Sequence, residues 1–463
     1  MTPASLAFVP LAANQTPFYV GMARVLREYG IPCHFFSFHE RSVETVRSAG
    51  FQCESVFAHT QPLDTYSLDR ALEVMAEFGI ADASLLISHA RAAYELRESA
   101  PLIRQFAAYL EALYPLVVES AGIGRRLHLV QELGGFLSVL ASFYAAGRAG
   151  VSTTFAEPSF YRGRVFLTHD SLAAPKPTAA LRDPIPEVEA YLRTVVSSKQ
   201  IVIPQKDSAH YRSAWRKVLN VRNARRLAEK AADKYVLGYQ EEFGHVIGHA
   251  GRHVRMLVTA QRLRRHYQTL PSNRFVYYPF HVPADVALTL RSPQYFDQCA
   301  LIDYLARTIP ATHRLAIKEH PALVGATPHA RLVDLLRRYD NIVLLRPTIN
   351  NHDVLAAADL VVTVNSKSGA EALLHGRRVV VLGDAFYRDC NVVRAVDQLS
   401  ALPAVMRESL ERPAPSPAAV RQFFQSVWDS SYPGELYATD PHNSRVFAMS
   451  ILSALNVEVH GAA

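Results

Sequence analysis

Chemistry is densest over a few consecutive residues: Asn365, Ser366, Lys367, Ser368 and Gly369, with Glu371 just beyond. They sit inside VVTVNSKSGAEALLHGRRVVVLG, residues Val361–Gly383. The β-branched run Val361–Val364 reads as a buried strand. The small polar residues after it read as a turn, Ala370–Leu374 as a short helix, and Arg378–Leu382 as a second strand. A turn that ends a strand and opens a helix gathers unpaired N–H groups and hydroxyls at the positive end of the helix dipole. Such a place suits an anion such as phosphate. The same residues admit a ligand-free reading, because Ser368 followed by Glu371 is the pattern of a capping box.

Three more polar clusters fall at expected strand ends: Tyr278-Pro279-Phe280-His281, Lys318-Glu319-His320-Pro321 and Thr348–Asn351. In a parallel sheet these ends share one crevice. A lysine and two histidines there complement phosphate, and the serine turn adds donors. No Gly-rich Walker sequence is present, which excludes a P-loop hydrolase. No His/Asp cluster has metal-site spacing, so no catalytic metal is expected. In the first half, the strand His128–Gln131 delivers Glu132 and the strand Val151–Ala156 delivers Glu157. Asp170, in THDS, is a third carboxylate. Carboxylates on that edge suit acid–base or nucleophilic work, and each also reads as a solvated loop charge. Asn14, Gln15 and Thr16 follow the first strand. They are candidates for acceptor or sugar contact, or simply helix-capping residues.

These groups need a scaffold of alternating strands and helices. Leu6–Leu11, Ile31–Phe38 and Phe51–Phe57 read as strands separated by amphipathic helices, the pattern of a parallel sheet covered on both faces. No GxGxxG follows the first strand. The same alternation resumes at Arg274–Pro279 and continues through His313–Lys318 and Asn341–Leu345. The expected domains are 1–204, a basic helical insert over 205–270, a second α/β domain over 271–412, and terminal helices over 413–463 that pack back on the first domain.

A chain of 463 residues is too long for one core. Its 49% hydrophobic and 20% charged residues suit a folded soluble protein. Cys33, Cys53, Cys299 and Cys390 show no CxxC spacing, so a zinc site or disulfide framework is not expected. The uncharged runs Met1–Ala23 and Leu133–Gly147 read neither as signal peptide nor as membrane span, and the expected location is cytoplasmic. The net charge of +7 is concentrated: Lys206–Arg265 holds fourteen Lys/Arg against five Asp/Glu. That excess suits an anionic membrane surface or an acidic glycan, or a plain solvated helix face. Nucleic acid is not an expected partner, because no recognised module of interleaved aromatics accompanies the charge.

YYPFHVPAD, then Gln294-Tyr295-Phe296-Asp297-Gln298, then KEHP, then VNSKSGAEALLHGRRVVVLGDAFY resembles the bacterial capsule polysaccharide synthesis family. That family includes transferases of Kdo, a 3-deoxy-octulosonic acid, from CMP-Kdo. The resemblance covers Phe275–Arg388; the first half is similar only loosely, through its α/β pattern and AEPSFYRGRVFLTHDS. It implies an α/β GT-B glycosyltransferase: two Rossmann-like domains facing a central cleft, with no metal and no cofactor beyond a nucleotide-sugar substrate. His320-Pro321 is implied to hold the nucleotide, Ser366–Gly369 the phosphate, and Glu371 to lie in the following helix. Lys318, Glu319, His281 and Asn365 complete the expected donor site, and Glu157 best matches the acidic catalytic residue implied for the N-terminal domain. The implied partners are a CMP-linked donor and a glycan or lipid-linked glycan acceptor at the inner membrane face. A UDP- or GDP-sugar donor and a non-catalytic capsule assembly protein are the alternatives.

Overall fold

The computed structural model describes residues 5–63, 65–122, 126–199 and 246–457, with isolated positions between 228 and 242. The expected connector Ile201–Pro204 and most of the basic stretch before Val246 lie outside the described residues.

The first half contributes β1 (Ser5–Phe8), β2 (Cys33–Ser37), β3 (Gln52–Ser55), β4 (Leu127–Glu132), β5 (Ser152–Pro158) and β6 (Arg164–His169). The second contributes β7 (Phe275–Pro279), β8 (Arg314–Lys318), β9 (Ile342–Leu344), β10 (Leu360–Thr363), β11 (Arg378–Val381) and β12 (Arg394–Ala395). A last strand, β13 (Tyr432–Pro433), returns to the first sheet. Among the described residues the first sheet has the order β13-β6-β5-β4-β1-β2-β3 and the second β12-β11-β10-β7-β8-β9. β1 to β5 run parallel, with Leu6 facing Cys33 on one side and His128 on the other. β7 to β12 are parallel throughout. This is the expected α/β plan of two Rossmann-like halves.

Helices cover both faces of each sheet, so the central strands are apolar on both sides. In β7, Phe275 and Tyr277 point into one core and Val276 and Tyr278 into the other, the two-residue alternation of a strand. The tail ties the halves together. The helix Pro417–Asp429 packs on Pro186–Ser197 and on Lys367–Leu374. The helix Pro441–Ala454 packs on Thr16–Glu28, with the Phe447 and Phe18 rings edge to face at 5.0 Å.

Exceptions to the parallel order are β6 and β13: β6 runs antiparallel to β5, and β13 antiparallel to β6. That reversal decides where Asp170 goes. No described helix is long and apolar enough to cross a membrane.

Candidate functional site

The carboxyl ends of β7, β8 and β10 lie side by side, because β7 is the strand between the other two. His281 follows β7 and joins its neighbours. Its Nε2 accepts the backbone N–H of Asn365 at 3.2 Å. Gln298 grips its backbone, with Oε1 accepting His281 N–H at 2.7 Å and Nε2 donating to its carbonyl at 3.0 Å. Burial, reinforced by neighbouring His320, lowers the His281 pKa to about 3, so the ring is neutral at physiological pH. With Nε2 accepting, the proton is assigned to Nδ1. That nitrogen is buried and has no partner among the described residues.

Lys318, the last residue of β8, is only 3% exposed. It shares a sheet face with Tyr277 and lies near Glu371. Burial pushes its pKa down to about 8, with Glu371 acting in the opposite sense. Among the described residues, none makes a hydrogen bond or close ion pair to its ammonium. Asn351 organises the wall beside it. Tyr277 Oη donates to Asn351 Oδ1 at 3.0 Å, and Asn351 Nδ2 lies 3.1 Å from both Ser368 Oγ and Glu371 Oε2. A buried lysine beside a carboxylate that Asn351 already holds is a cation ready for an incoming anion.

The helix after the serine turn is Lys367–Leu374, and its N-cap is Ser366, whose Oγ accepts the N–H of Ser368 at 3.2 Å. The capping box of Ser368 and Glu371 is therefore not formed. Ser368 lies inside the helix, and Glu371 turns inward to Asn351. Gly369 has a packing reason: a β-carbon there would strike the ring of Tyr387, whose hydroxyl holds the Ser366 carbonyl. The Asn365 amide nitrogen is committed to the Ser292 hydroxyl at 3.2 Å and to the carbonyls of Ala287 and Asp384. Lys367 reaches across the cleft to the Ser159 carbonyl at 3.0 Å.

His320 and Pro321 stand beside this turn. His320 caps the short turn Pro321–Leu323 by accepting Ala322 N–H at Nδ1, 3.3 Å, which leaves the proton on Nε2. Glu319 is a correction. It is buried, its Oε2 accepts from Tyr267 and its Oε1 accepts Gly325 N–H at 2.9 Å. Both oxygens are engaged with protein, so Glu319 anchors the loop instead of reaching a donor. Burial raises its pKa.

On the facing edge, Glu157 is held by Arg291, with Nη1 to Oε2 at 3.0 Å and Nη2 to Oε1 at 2.7 Å. Glu132 lies at the end of β4, buried, with Tyr437 donating to Oε2 and its own N–H donating to Tyr19 Oη at 3.1 Å. Asp170 is not with them. Because β6 runs backwards, its end lies beside the start of β5, where Asp170 accepts Thr153 N–H at 2.6 Å. Asp170 thus occupies the opposite edge of the sheet and is removed as a catalytic candidate. Thr16 is corrected likewise: it is fully buried, bonded to Ser42 Oγ at 2.9 Å, and ties two helices together. Asn14 is exposed at the loop, and Gln15 precedes the first helix without capping it by its side chain. Among the described residues, no group of three or more His, Cys, Asp or Glu is placed to hold a metal ion.

Arg291, Ser292, Asn351, Tyr387 and Gln298 were not picked out as working residues by sequence. Asn351, Gln298 and Tyr387 do fall in clusters or motif runs quoted above. Arg291 and Ser292 carry no local signal at all, since their partners lie far away in the chain.

Residues 195–399 match the family described as capsule polysaccharide biosynthesis protein. Protein FixF of Sinorhizobium fredii is 30% identical over 195 residues, which cover 41% of this chain. The match spans 45% of FixF, less than half of that relative. Among solved structures, Thermosulfurimonas dismutans KpsC, beta Kdo 2,7 transferase, overlaps 73% of this chain and 88% of its own, at 14% identity and a TM-score of 0.36. A glycosyltransferase from Rickettsia africae overlaps 98% and 99%, at 9% identity and a TM-score of 0.34. The matched segment 195–399 carries both the KEHP corner and the serine turn, so the likeness to the capsule polysaccharide biosynthesis family lies in the half that holds the donor edge.

Proposed function

We propose that this chain is a glycosyltransferase of bacterial surface polysaccharide assembly. Its donor is a CMP-activated sugar, Kdo or a related ulosonic acid, and its acceptor is a glycan or glycolipid. The observation that carries this reading is the convergence on one sheet edge of Lys318, the Nδ1–H of His281, His320 and the N-terminus of Lys367–Leu374. All four complement a phosphate oxygen, and among the described residues no carboxylate forms a close ion pair with Lys318.

In this reading the donor nucleotide rests against His320-Pro321, with its phosphate toward Lys318 and the Ser366–Gly369 turn. Positive and N–H groups stabilise the phosphate as the glycosidic bond breaks, in a site with little water. Glu157, from the facing half, supplies the carboxylate that takes the acceptor proton or attacks the anomeric carbon. Glu132 is its alternative, and Asn14 and Gln15 border the acceptor side. The chain works at the cytoplasmic face of the membrane. The helix Val246–Leu263 supports this with Arg262, no acidic residue, and exposed Val254 and Val258, whereas Arg252 and Arg255 are paired with Glu95. Residues before it in the basic stretch lie largely outside the described structure.

The test is a thermal-shift panel of CMP, UDP and GDP, followed by transfer assays with the nucleotide that binds. A shift with CMP alone supports the reading. A shift with UDP or GDP alone changes the donor, and no shift with any of the three leaves a non-catalytic assembly protein.

A further inference from the structure

We propose that Arg291 and Ser292 form a two-residue joint that couples the carboxylate of Glu157 to the donor-side turns, with Arg291 as the positioning residue for that carboxylate. The inference rests on the transferase reading for its functional meaning, and on distances alone for the coupling.

The two residues face opposite halves. The Arg291 guanidinium takes both oxygens of Glu157, and also donates to the carbonyls of Leu172 at 2.9 Å and Ala173 at 2.7 Å. All its partners here belong to the first half. The next residue, Ser292, is fully buried and looks the other way. Its Oγ accepts the N–H of Asp384 at 3.0 Å and the amide of Asn365 at 3.2 Å. Asn365 follows β10 and Asp384 follows β11, so one hydroxyl joins two adjacent turns on the donor edge. A β-carbon on Gly383 would strike Ser292, so this contact is built to close tolerance.

The joint is largely shielded from solvent. The Arg291 side chain is 6% exposed and that of Glu157 17%. A fork-to-fork guanidinium–carboxylate pair fixes both position and orientation, which a single ammonium contact does not. Three bonds close a loop around it. Asp384 accepts Ala174 N–H at 2.7 Å, beside the two carbonyls that Arg291 holds. Ser88 and His89 of the first half both engage Thr289, two residues before Arg291, at 3.1 and 2.9 Å. A change at Asn365 or Asp384 is therefore transmitted through one peptide bond to Glu157. Neither glutamate nor turn can shift alone while the joint holds.

Backbone hydrogen exchange of the unliganded full chain tests the coupling directly, comparing wild type with Arg291→Ala, Arg291→Lys and Ser292→Ala. Arg291→Ala is expected to speed exchange at least ~10-fold both around residues 157–174 and around residues 365–384, with Arg291→Lys in between. Ser292→Ala is expected to loosen the same two regions. Acceleration confined to the first half in Arg291→Ala, or to the second half in Ser292→Ala, overturns the joint. If Arg291→Ala does not fold, the lysine and serine variants decide by the same criterion. This readout needs no substrate, so a failure of nucleotide binding removes the transferase reading without touching the result. Where transfer is measured, Arg291→Lys is expected to lower kcat at least ~10-fold with the donor KM within ~3-fold. An equal loss in kcat/KM carried by KM alone contradicts the positioning role.

Discussion

Replacing Lys318 with methionine keeps length and bulk but removes the charge. Burial lowers this lysine from the ordinary 10.5 to about 8. At about 1.4 kcal/mol per unit, holding the charge inside costs the empty protein roughly 3 kcal/mol near neutral pH. Between those two values the unfolded chain binds more protons than the folded one, so stability attributable to this residue rises with pH across that window. The same relation leaves a cost of about 1.4 kcal/mol near pH 9.5. Lys318→Met therefore stabilises the unliganded protein, by about 1–3 kcal/mol near pH 7 once the loss of a positive neighbour for Glu371 is allowed for. Its advantage narrows as pH rises. The same variant loses the nucleotide-induced thermal shift, because the cation that meets the phosphate is gone. Denaturant titrations near pH 7 and pH 9.5 check the first claim and the nucleotide panel the second. A variant less stable than wild type near pH 7, or a gap that does not narrow, refutes the assigned cost of burial. Undiminished nucleotide binding refutes the assigned purpose.

His320→Ala is expected to weaken nucleotide binding at least ~10-fold while leaving the denaturation midpoint nearly unchanged, as measured by calorimetric titration and urea melts. Glu157→Gln should bind donor normally and turn over ~100-fold more slowly, the usual scale for losing a general acid or base; an unchanged rate in a transfer assay moves the role to Glu132. Gly369→Ala should cost about 1–3 kcal/mol by forcing a β-carbon into the Tyr387 ring, read by urea denaturation. Tyr267→Phe should destabilise by about 1–3 kcal/mol, because it strips a donor from the buried Glu319 carboxylate. If instead Tyr267→Phe weakens nucleotide binding and leaves stability intact, Glu319 belongs to the donor site after all.

The alternation of apolar strands with amphipathic helices was enough to specify two parallel-sheet halves, because a strand buried on both faces has to be apolar throughout. The donor edge was legible for a related reason. Polar clusters placed directly after such strands have nowhere to go but the carboxyl edge, so His281, Lys318, His320 and Ser366 could be grouped before any distance was known. Local sequence does not carry strand direction, however. Asp170 was grouped with the other carboxylates by residue type, and a hairpin return places it at the far edge. It does not carry side-chain commitment either. Glu319 and Thr16 have the right residue types in the right loops, yet their polar atoms are satisfied by Tyr267, Gly325 and Ser42. Least legible of all was the pairing of Arg291 with Glu157, separated by 134 residues. Periodicity and turn chemistry are short-range and can be read along the chain, whereas the partner of a buried charge is chosen only when two distant surfaces close on each other.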